Sequence, residues 1–273
     1  MNSAGQHGPT SRRLGRIFRR DGRAVIVALD HGLIDGPIAG FEQPGATIAK
    51  VVEGGADAIL TSYGIARRFA GSLSSVGLIL RGDGAATNMG SPSDGPASSV
   101  FFSVEEALRL GADAVVVTAL PGSDKEEATL RNLSSVTAAA HRWGLPVLGE
   151  MVPGGFNGPP EMRMADNVAA AARLGAELGA DFIKAPYCAD YRTVTEGTFV
   201  PVVILGGSKT SERDMLTDIR AALDAGASGV AIGRNVFQCE DPAAMTAAIV
   251  ALVHEDANVE DAVRMLPGET PTA

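Results

Sequence analysis

The sequence predicts an α/β protein folded as a single-domain (β/α)8 barrel, and three observations lead there. A phrase centred on Gly-Ala-Asp returns four times, as EGGADAIL, RLGADAVVV, ELGADFIK and DAGASGVAI. Short apolar runs alternate with helical patterns through nearly the whole chain. No Pro/Gly-rich linker divides that alternation into two compositions, which favours a closed barrel over a doubly wound sheet.

Each copy of the phrase follows a helical pattern and opens an apolar run, as when a helix closes on glycine and hands over to a buried parallel strand. Read outward from these anchors, strands fall near residues 24–30, 57–61, 76–80, 113–118, 145–150, 181–184, 200–205 and 228–232. Between most of them lie helical patterns such as PGATIAKVVEGG and SERDMLTDIRAALDAG. The expected organisation is a basic lead-in over 1–23, a catalytic barrel over 24–265 and a short tail over 266–273. In the lead-in, Arg12, Arg13, Arg16, Arg19 and Arg20 surround Leu14, Ile17 and Phe18, which fits an amphipathic helix with its apolar residues turned inward. The stretch RGDGAATNMGSPSDGP, residues 81–96, reads as a polar loop after the third strand, on the face where such barrels work, and is either a cover for the substrate or a passive excursion.

Composition narrows the function. The 273 residues are 45% hydrophobic, enough to bury a large core. A formal charge of -9 offers no electrostatic footprint for nucleic acid or an anionic membrane, although a local cluster can still hold an anionic small molecule. The basic start lacks the apolar core of a signal peptide, and no stretch has the length to cross a bilayer, so a cytoplasmic protein is expected. Cys188 and Cys239 form no C-x-x-C pair and read as thiols, and the rim carboxylates form no coherent oxygen cage, so neither a metal nor another cofactor is expected.

A barrel brings the last residues of separate strands to one mouth. The first strand ends in LDHG, where Asp30 is a candidate for proton exchange or for holding a substrate hydroxyl. His31 would share that work or settle as a structural donor. The sixth strand ends in DFIK, in a chain with only four lysines. Lys184 there either snorkels or pairs structurally, or is an amine whose partial desolvation lowers its pKa and leaves it nucleophilic toward a ketone. The seventh and eighth strands run into LGGSKT and IGRNVF. Gly206, Gly207 and Ser208, with Gly233 and Arg234, are candidates for a phosphate cup. Lys209 divides evenly between surface and substrate, while Arg67 and Arg68 read as a solvated helix face.

The segments ALDHG (28–32), GADFIKAPY (179–187), VVILGGSKT (202–210) and GASGVAIGRNVFQ (226–238) together resemble the DhnA-type class I aldolases. That group contains archaeal-type fructose-bisphosphate aldolases, synthases that condense a phosphorylated ketone with an amino-acid semialdehyde, and the autoinducer-2 thiolase. The resemblance implies a TIM barrel, a Schiff-base lysine at Lys184, an active-site aspartate at Asp30, phosphate binding by 206–208 and 233–234, and a homo-oligomer, often a decamer in this family. It also implies a phosphorylated ketone donor such as dihydroxyacetone phosphate and an aldehyde acceptor, with sugar phosphates and aspartate semialdehyde as family examples. The alternatives are a coenzyme A-dependent thiolase or a phosphosugar isomerase or epimerase on the same barrel.

One segment departs from the family. Sugar-phosphate members carry an acid/base tyrosine in Tyr-Pro-Arg-Gly, whereas this chain reads GEMVPGG over 149–155, with Val152 in the tyrosine's place. Valine moves no proton. Glu150, two residues earlier on the same side of an extended strand, is the nearest replacement, with a structural pairing to Lys184 as its competing role. Tyr63, Tyr187 and Tyr191 are further proton-donor candidates.

Overall fold

The computed structural model describes residues 11–84, 87–89 and 99–268. Most of the 81–96 stretch therefore lies outside the described residues, as do the first ten residues and the last five. Eight parallel strands close the expected barrel: β1 (Ala24–Leu29), β2 (Ala58–Thr61), β3 (Gly77–Arg81), β4 (Ala114–Ala119), β5 (Val147–Met151), β6 (Phe182–Pro186), β7 (Val202–Leu205) and β8 (Gly229–Ile232). Each strand pairs with its neighbours in sequence, and β1 with β8 completes the circle. A two-residue antiparallel ribbon, 83–84 with 99–100, stands above β3.

Helices run outside the strands. They are α1 (Ser11–Leu14), α2 (Gly32–Asp35), α3 (Pro44–Glu53), α4 (Tyr63–Arg68), α5 (Val104–Arg109), α6 (Glu126–His141), α7 (Ala165–Glu177), α8 (Tyr191–Glu196), α9 (Glu212–Asp224), α10 (Arg234–Phe237), α11 (Pro242–His254) and α12 (Val259–Val263). Among the described residues, no helix is long and apolar enough to cross a membrane.

The Gly-Ala-Asp repeat explains how strands are fastened. Gly55, Gly111, Gly179 and Gly226 all take positive φ, between 75° and 97°, where a Cβ would be strained. The alanine after each donates its N–H back to a helix carbonyl five residues earlier, as Ala56 does to Val51 at 3.1 Å and Ala180 to Gly175 at 3.1 Å, closing the helix in a Schellman motif. The next residue starts an even-numbered strand and grips the strand before it. Asp57, Asp113 and Asp181 donate their N–H groups to Val25, Leu78 and Val147 carbonyls, and their carboxylates accept the N–H groups of those same residues at 2.7, 3.0 and 2.8 Å. Ser228 repeats only the backbone half, donating to Val202.

Each aspartate also meets a basic side chain. Arg16 lies 2.9 Å from Asp113, Arg19 pairs with Asp57, and His141 lies 3.0 Å from Asp181. The basic lead-in thus binds the amino-terminal rim of the barrel. Its apolar residues close the floor: Ile17 is fully buried with Leu14 and Phe18 against the inner core, and Phe18 meets Phe182 edge-on at 5.3 Å.

Inward-facing positions follow a period of two. Ile26 and Ala28 on β1, Ile79 on β3, Val116 on β4, Leu148 on β5 and Phe182 on β6 fill the interior below the mouth. Two residues further along those strands stand Asp30, Arg81, Thr118, Glu150 and Lys184. The same alternation that builds the apolar core therefore delivers a polar layer directly above it.

Candidate active site

Thr118, Glu150 and Lys184 are register partners across β4, β5 and β6, so three adjacent strands present them at one level. Lys184 Nζ lies 2.6 Å from Glu150 Oε1, and both side chains are buried. The other oxygen, Glu150 Oε2, accepts from Arg81 Nη2 at 2.7 Å and from the Thr118 hydroxyl at 2.8 Å. Arg81 is the hub. Its Nε donates to Asp30 Oδ2 at 2.8 Å, and its Nη1 donates to Asp83 Oδ1 at 3.1 Å and Thr118 Oγ1 at 2.8 Å. Asp83 in turn accepts the Thr118 N–H at 2.8 Å.

These contacts revise the reading of Arg81 and Asp83 as the start of a polar loop. Arg81 ends β3 with 7% exposure, and Asp83 is buried at 2%. Polarity there reflects a charge network sealed inside the mouth. The missed signal was the one applied to Lys184, a cation closing an apolar strand. Thr118 had no such signal, since threonine is an ordinary strand residue.

The electrostatics assign different capacities to the carboxylates. Burial alone would raise Glu150, but the Arg81 and Lys184 charges, with hydrogen bonds from Lys184 and Thr118, hold it well below the usual carboxylate range. It is a firm anion and a poor proton donor. For Asp30, burial is again outweighed by Arg81, then His31 and Lys184, leaving its pKa lowered. Burial pushes His31 down, with Lys184 and Arg234 adding to it against the pull of Asp30, so the imidazole is held toward its neutral form. His31 Nδ1 sits 3.7 Å from Asp30 Oδ1, beyond a hydrogen bond, and is buried without a hydrogen-bond partner. Its ring rests edge-on against Phe237 at 5.2 Å, and Gly233 passes so close that a Cβ there would come within 2.4 Å of it.

On the other side of Lys184, β7 and β8 end in the two glycine segments. Asn235, buried at the start of α10, donates to the carbonyls of Gly206 at 2.8 Å and Ser208 at 3.1 Å and accepts from the Thr210 N–H. Arg234 Nη2 donates to the Gly207 carbonyl at 3.2 Å. Because a trans peptide points N–H opposite to C=O, tying these carbonyls to α10 turns the N–H groups of Gly207 and Ser208 away from it. Arg234 Nε remains buried without a partner. Asn235 was not anticipated from the sequence, because its partners lie 25 to 29 residues away and only the closed barrel brings them together.

All nine candidate positions line one cavity of about 880 Å³: Asp30, His31, Glu150, Lys184, Gly206, Gly207, Ser208, Gly233 and Arg234. Val152 and Tyr187 line it too. Tyr191 is instead fully packed, with a hydroxyl lacking any partner, and Tyr63 is spent on Glu106 at 3.0 Å. Lys209 is exposed and donates to the Gln238 carbonyl. Both cysteine thiols are pushed up to about 11, chiefly by burial. Among the described residues, no group of three or more His, Cys, Asp or Glu is placed to hold a metal ion.

Residues 24–239 match the model of the DeoC/LacD family aldolases. The chain belongs to that family. The 2-amino-3,7-dideoxy-D-threo-hept-6-ulosonate synthase of Halobacterium salinarum is 41% identical over 255 residues, 92% of this chain and 94% of its own length. The 3-hydroxy-5-phosphonooxypentane-2,4-dione thiolase of Yersinia enterocolitica is 35% identical, over 93% of this chain and 85% of the relative. A solved Schiff base-forming fructose-1,6-bisphosphate aldolase superposes with a TM-score of 0.80 at 36% identity, covering 90% of this chain and 100% of the other. The aldolase fold, the buried lysine and the Schiff-base class thus converge. At the end of its fifth strand and just beyond it, Glu150 and Val152 line the cavity.

Proposed function

We propose that this aldolase makes or cleaves a carbon–carbon bond between a phosphorylated ketone donor, of the dihydroxyacetone phosphate type, and an aldehyde acceptor, through an imine on Lys184. The observation that carries this reading is the Lys184–Glu150 contact at 2.6 Å inside a cavity that also contains the glycine cup of β7 and β8. For attack on the donor ketone, Lys184 needs an unprotonated amine, and Glu150 Oε1 is the carboxylate at its nitrogen. The proton that Lys184 gives up on attack ends on the former ketone oxygen, which leaves as water, so the protonated imine keeps the single positive charge in the same place. Glu150, fixed as an anion by Arg81 and Thr118, serves there as counter-ion, which favours the charged imine and its withdrawal of electrons from the adjacent bond.

Proton movement at the acceptor hydroxyl falls to the opposite wall. His31, held toward its neutral form, has the capacity to accept that proton, and Asp30 supports the resulting imidazolium from 3.7 Å. This division relieves Glu150 of the proton-transfer role that Val152 leaves open. Gly206, Gly207, Ser208, Gly233 and Arg234 take the donor phosphate through the backbone N–H groups of loops whose carbonyls Asn235 and Arg234 already hold.

Borohydride reduction in the presence of dihydroxyacetone phosphate tests the reading directly. A stable mass adduct on the peptide bearing Lys184, absent in Lys184→Met, is expected. An unmodified lysine in enzyme that turns over with saturating donor would refute it, and activity retained in Lys184→Ala would transfer the site to proton-shuttling isomerase chemistry.

A further inference from the structure

Arg163 lines the same cavity as the glycine segments of β7 and β8 and has no counter-ion among the described residues. It follows β5, in the 3-10 turn Pro160–Arg163, and lines the same cavity as Lys184 and Arg234. In the closed strand order β8-β7-β6-β5, the cup belongs to β7 and β8 and Arg163 to β5, so the lysine of β6 lies between two cationic ends.

The side chain is built into place. Arg163 Nη1 donates to the Pro153 carbonyl and Nη2 to the Gly155 carbonyl at 2.7 Å. The loop beneath is knitted closely: Gly155 N–H bonds to Val152 at 3.0 Å, Gly158 N–H to Gly155 at 3.2 Å, and Gly154 N–H to Pro121 at 2.7 Å. Met162 packs on Gly154 so tightly that a Cβ there would fall 2.7 Å from its Cγ. A guanidinium carries five N–H groups, and the two carbonyls occupy two of them. No ion pair involves Arg163 among the described residues, whereas the buried cations Arg81 and Lys184 at this mouth both pair with carboxylates. Burial lowers its pKa with no anion acting against that effect. In a chain of net charge -9, a half-buried arginine left without a carboxylate in the working cavity is an anion receptor awaiting its ligand.

We propose that Arg163 is the acceptor-specificity residue of this enzyme: it binds an anionic group, carboxylate or phosphate, at the end of the aldehyde acceptor distal to the reacting carbonyl. The proposal deepens the aldolase reading and rests on it for the word acceptor, while the anion site itself stands independently. The three free N–H groups suit a planar carboxylate or two phosphate oxygens, and the rigid loop supplies the geometry before the ligand arrives.

The test compares wild type, Arg163→Met and Arg163→Lys with three aldehydes at saturating dihydroxyacetone phosphate: succinic semialdehyde, glyceraldehyde 3-phosphate and neutral glyceraldehyde. Arg163→Met should lower kcat/KM for at least one anionic acceptor by about 30-fold through KM, with glyceraldehyde changed by less than about threefold and partial recovery in Arg163→Lys. The anionic aldehyde that suffers more identifies carboxylate or phosphate as the recognised group. Equal losses on all three acceptors would reduce Arg163 to a loop fastener and overturn the proposal, as would no loss on any. Calorimetry with inorganic phosphate on unreacted protein separates this from the aldolase reading. Arg163→Met and Arg234→Met should each remove a different binding event, even if Lys184 forms no adduct. Unchanged phosphate binding in Arg163→Met, together with unchanged acceptor preference, would end the idea.

Discussion

Lys184 Nζ and Glu150 Oε1 stand 2.6 Å apart as register partners on adjacent strands, so backbone pairing itself fixes amine and carboxylate together. Neither side chain reaches the other through a flexible loop. Glu150→Gln keeps the shape and removes the charge. Its expected effect is a fall in kcat of about 100-fold with donor KM little changed, the pattern for losing stabilisation of charge that develops during reaction. Steady-state kinetics with the rate of borohydride trapping would check it, and a kcat within threefold of wild type would remove Glu150 from the chemistry.

Arg81 holds Asp30, Asp83 and Glu150 at once. Arg81→Met strands those carboxylates in a buried layer, and a loss of about 3–5 kcal/mol in unfolding free energy is expected from breaking such a network at one partner. The double variant Arg81→Met/Glu150→Gln should recover part of that loss, because one stranded charge is gone. Urea denaturation of the single and double variants measures the coupling. Strict additivity would mean that the two residues do not act as one unit.

At the opposite rim, His254 bridges Asp21 at 2.6 Å and Asp57 at 2.9 Å through its two ring nitrogens. Burial alone would lower its pKa, but the hydrogen bonds to Asp57 and Asp21 and the Asp57 charge raise it against the nearby Arg19. The folded state therefore binds this proton more tightly than the unfolded chain. The stabilisation is complete below about pH 6.5, the unfolded value, and is lost as pH rises through the higher folded value. His31, lowered in the fold, works in the other direction and costs stability as pH falls below the unfolded value. Subtracting variant from wild type isolates the two. The Tm difference between wild type and His254→Gln should shrink from pH 6 toward pH 9, and a difference independent of pH would exclude a charged His254.

The strand-start aspartates give a prediction confined to folding. Asp113→Ala leaves the Leu78 N–H and Arg16 without their partner, and a cost of about 1–3 kcal/mol is expected for an orphaned buried donor. Asp181→Ala should behave alike through Val147. In both variants kcat at 25 °C should remain within twofold of wild type. A large kcat effect would mean that strand fastening reaches the mouth.

Much of the fold was legible because strand starts are marked by a repeated chemical device. Gly-Ala-Asp reports a helix ending and a carboxylate gripping the preceding strand, and both need those residue types in that order. The nucleophile candidate was legible because charge is rare at the end of an apolar strand. Arg81 obeyed the same rule but was hidden by its neighbours: glycine and aspartate in RGDG read as a turn, and the aspartate proved to be its partner. Asn235 and Arg163 left no pattern at all. Their roles depend on which carbonyls lie near them after the barrel closes, and sequence spacing does not encode that proximity.

The clamps at the lower rim carry a design consequence. Strand fastening and carbonyl chemistry occupy opposite ends of the same eight strands, separated by a layer of packed apolar side chains. Exchanges at such distances tend to add independently. A barrel fastened in this way can therefore have positions 81, 118, 150, 152 and 163 rewritten as a reagent set, with the structural debt confined to the mouth. Laboratory exchange at these positions is the route by which this scaffold would be turned toward new aldehydes.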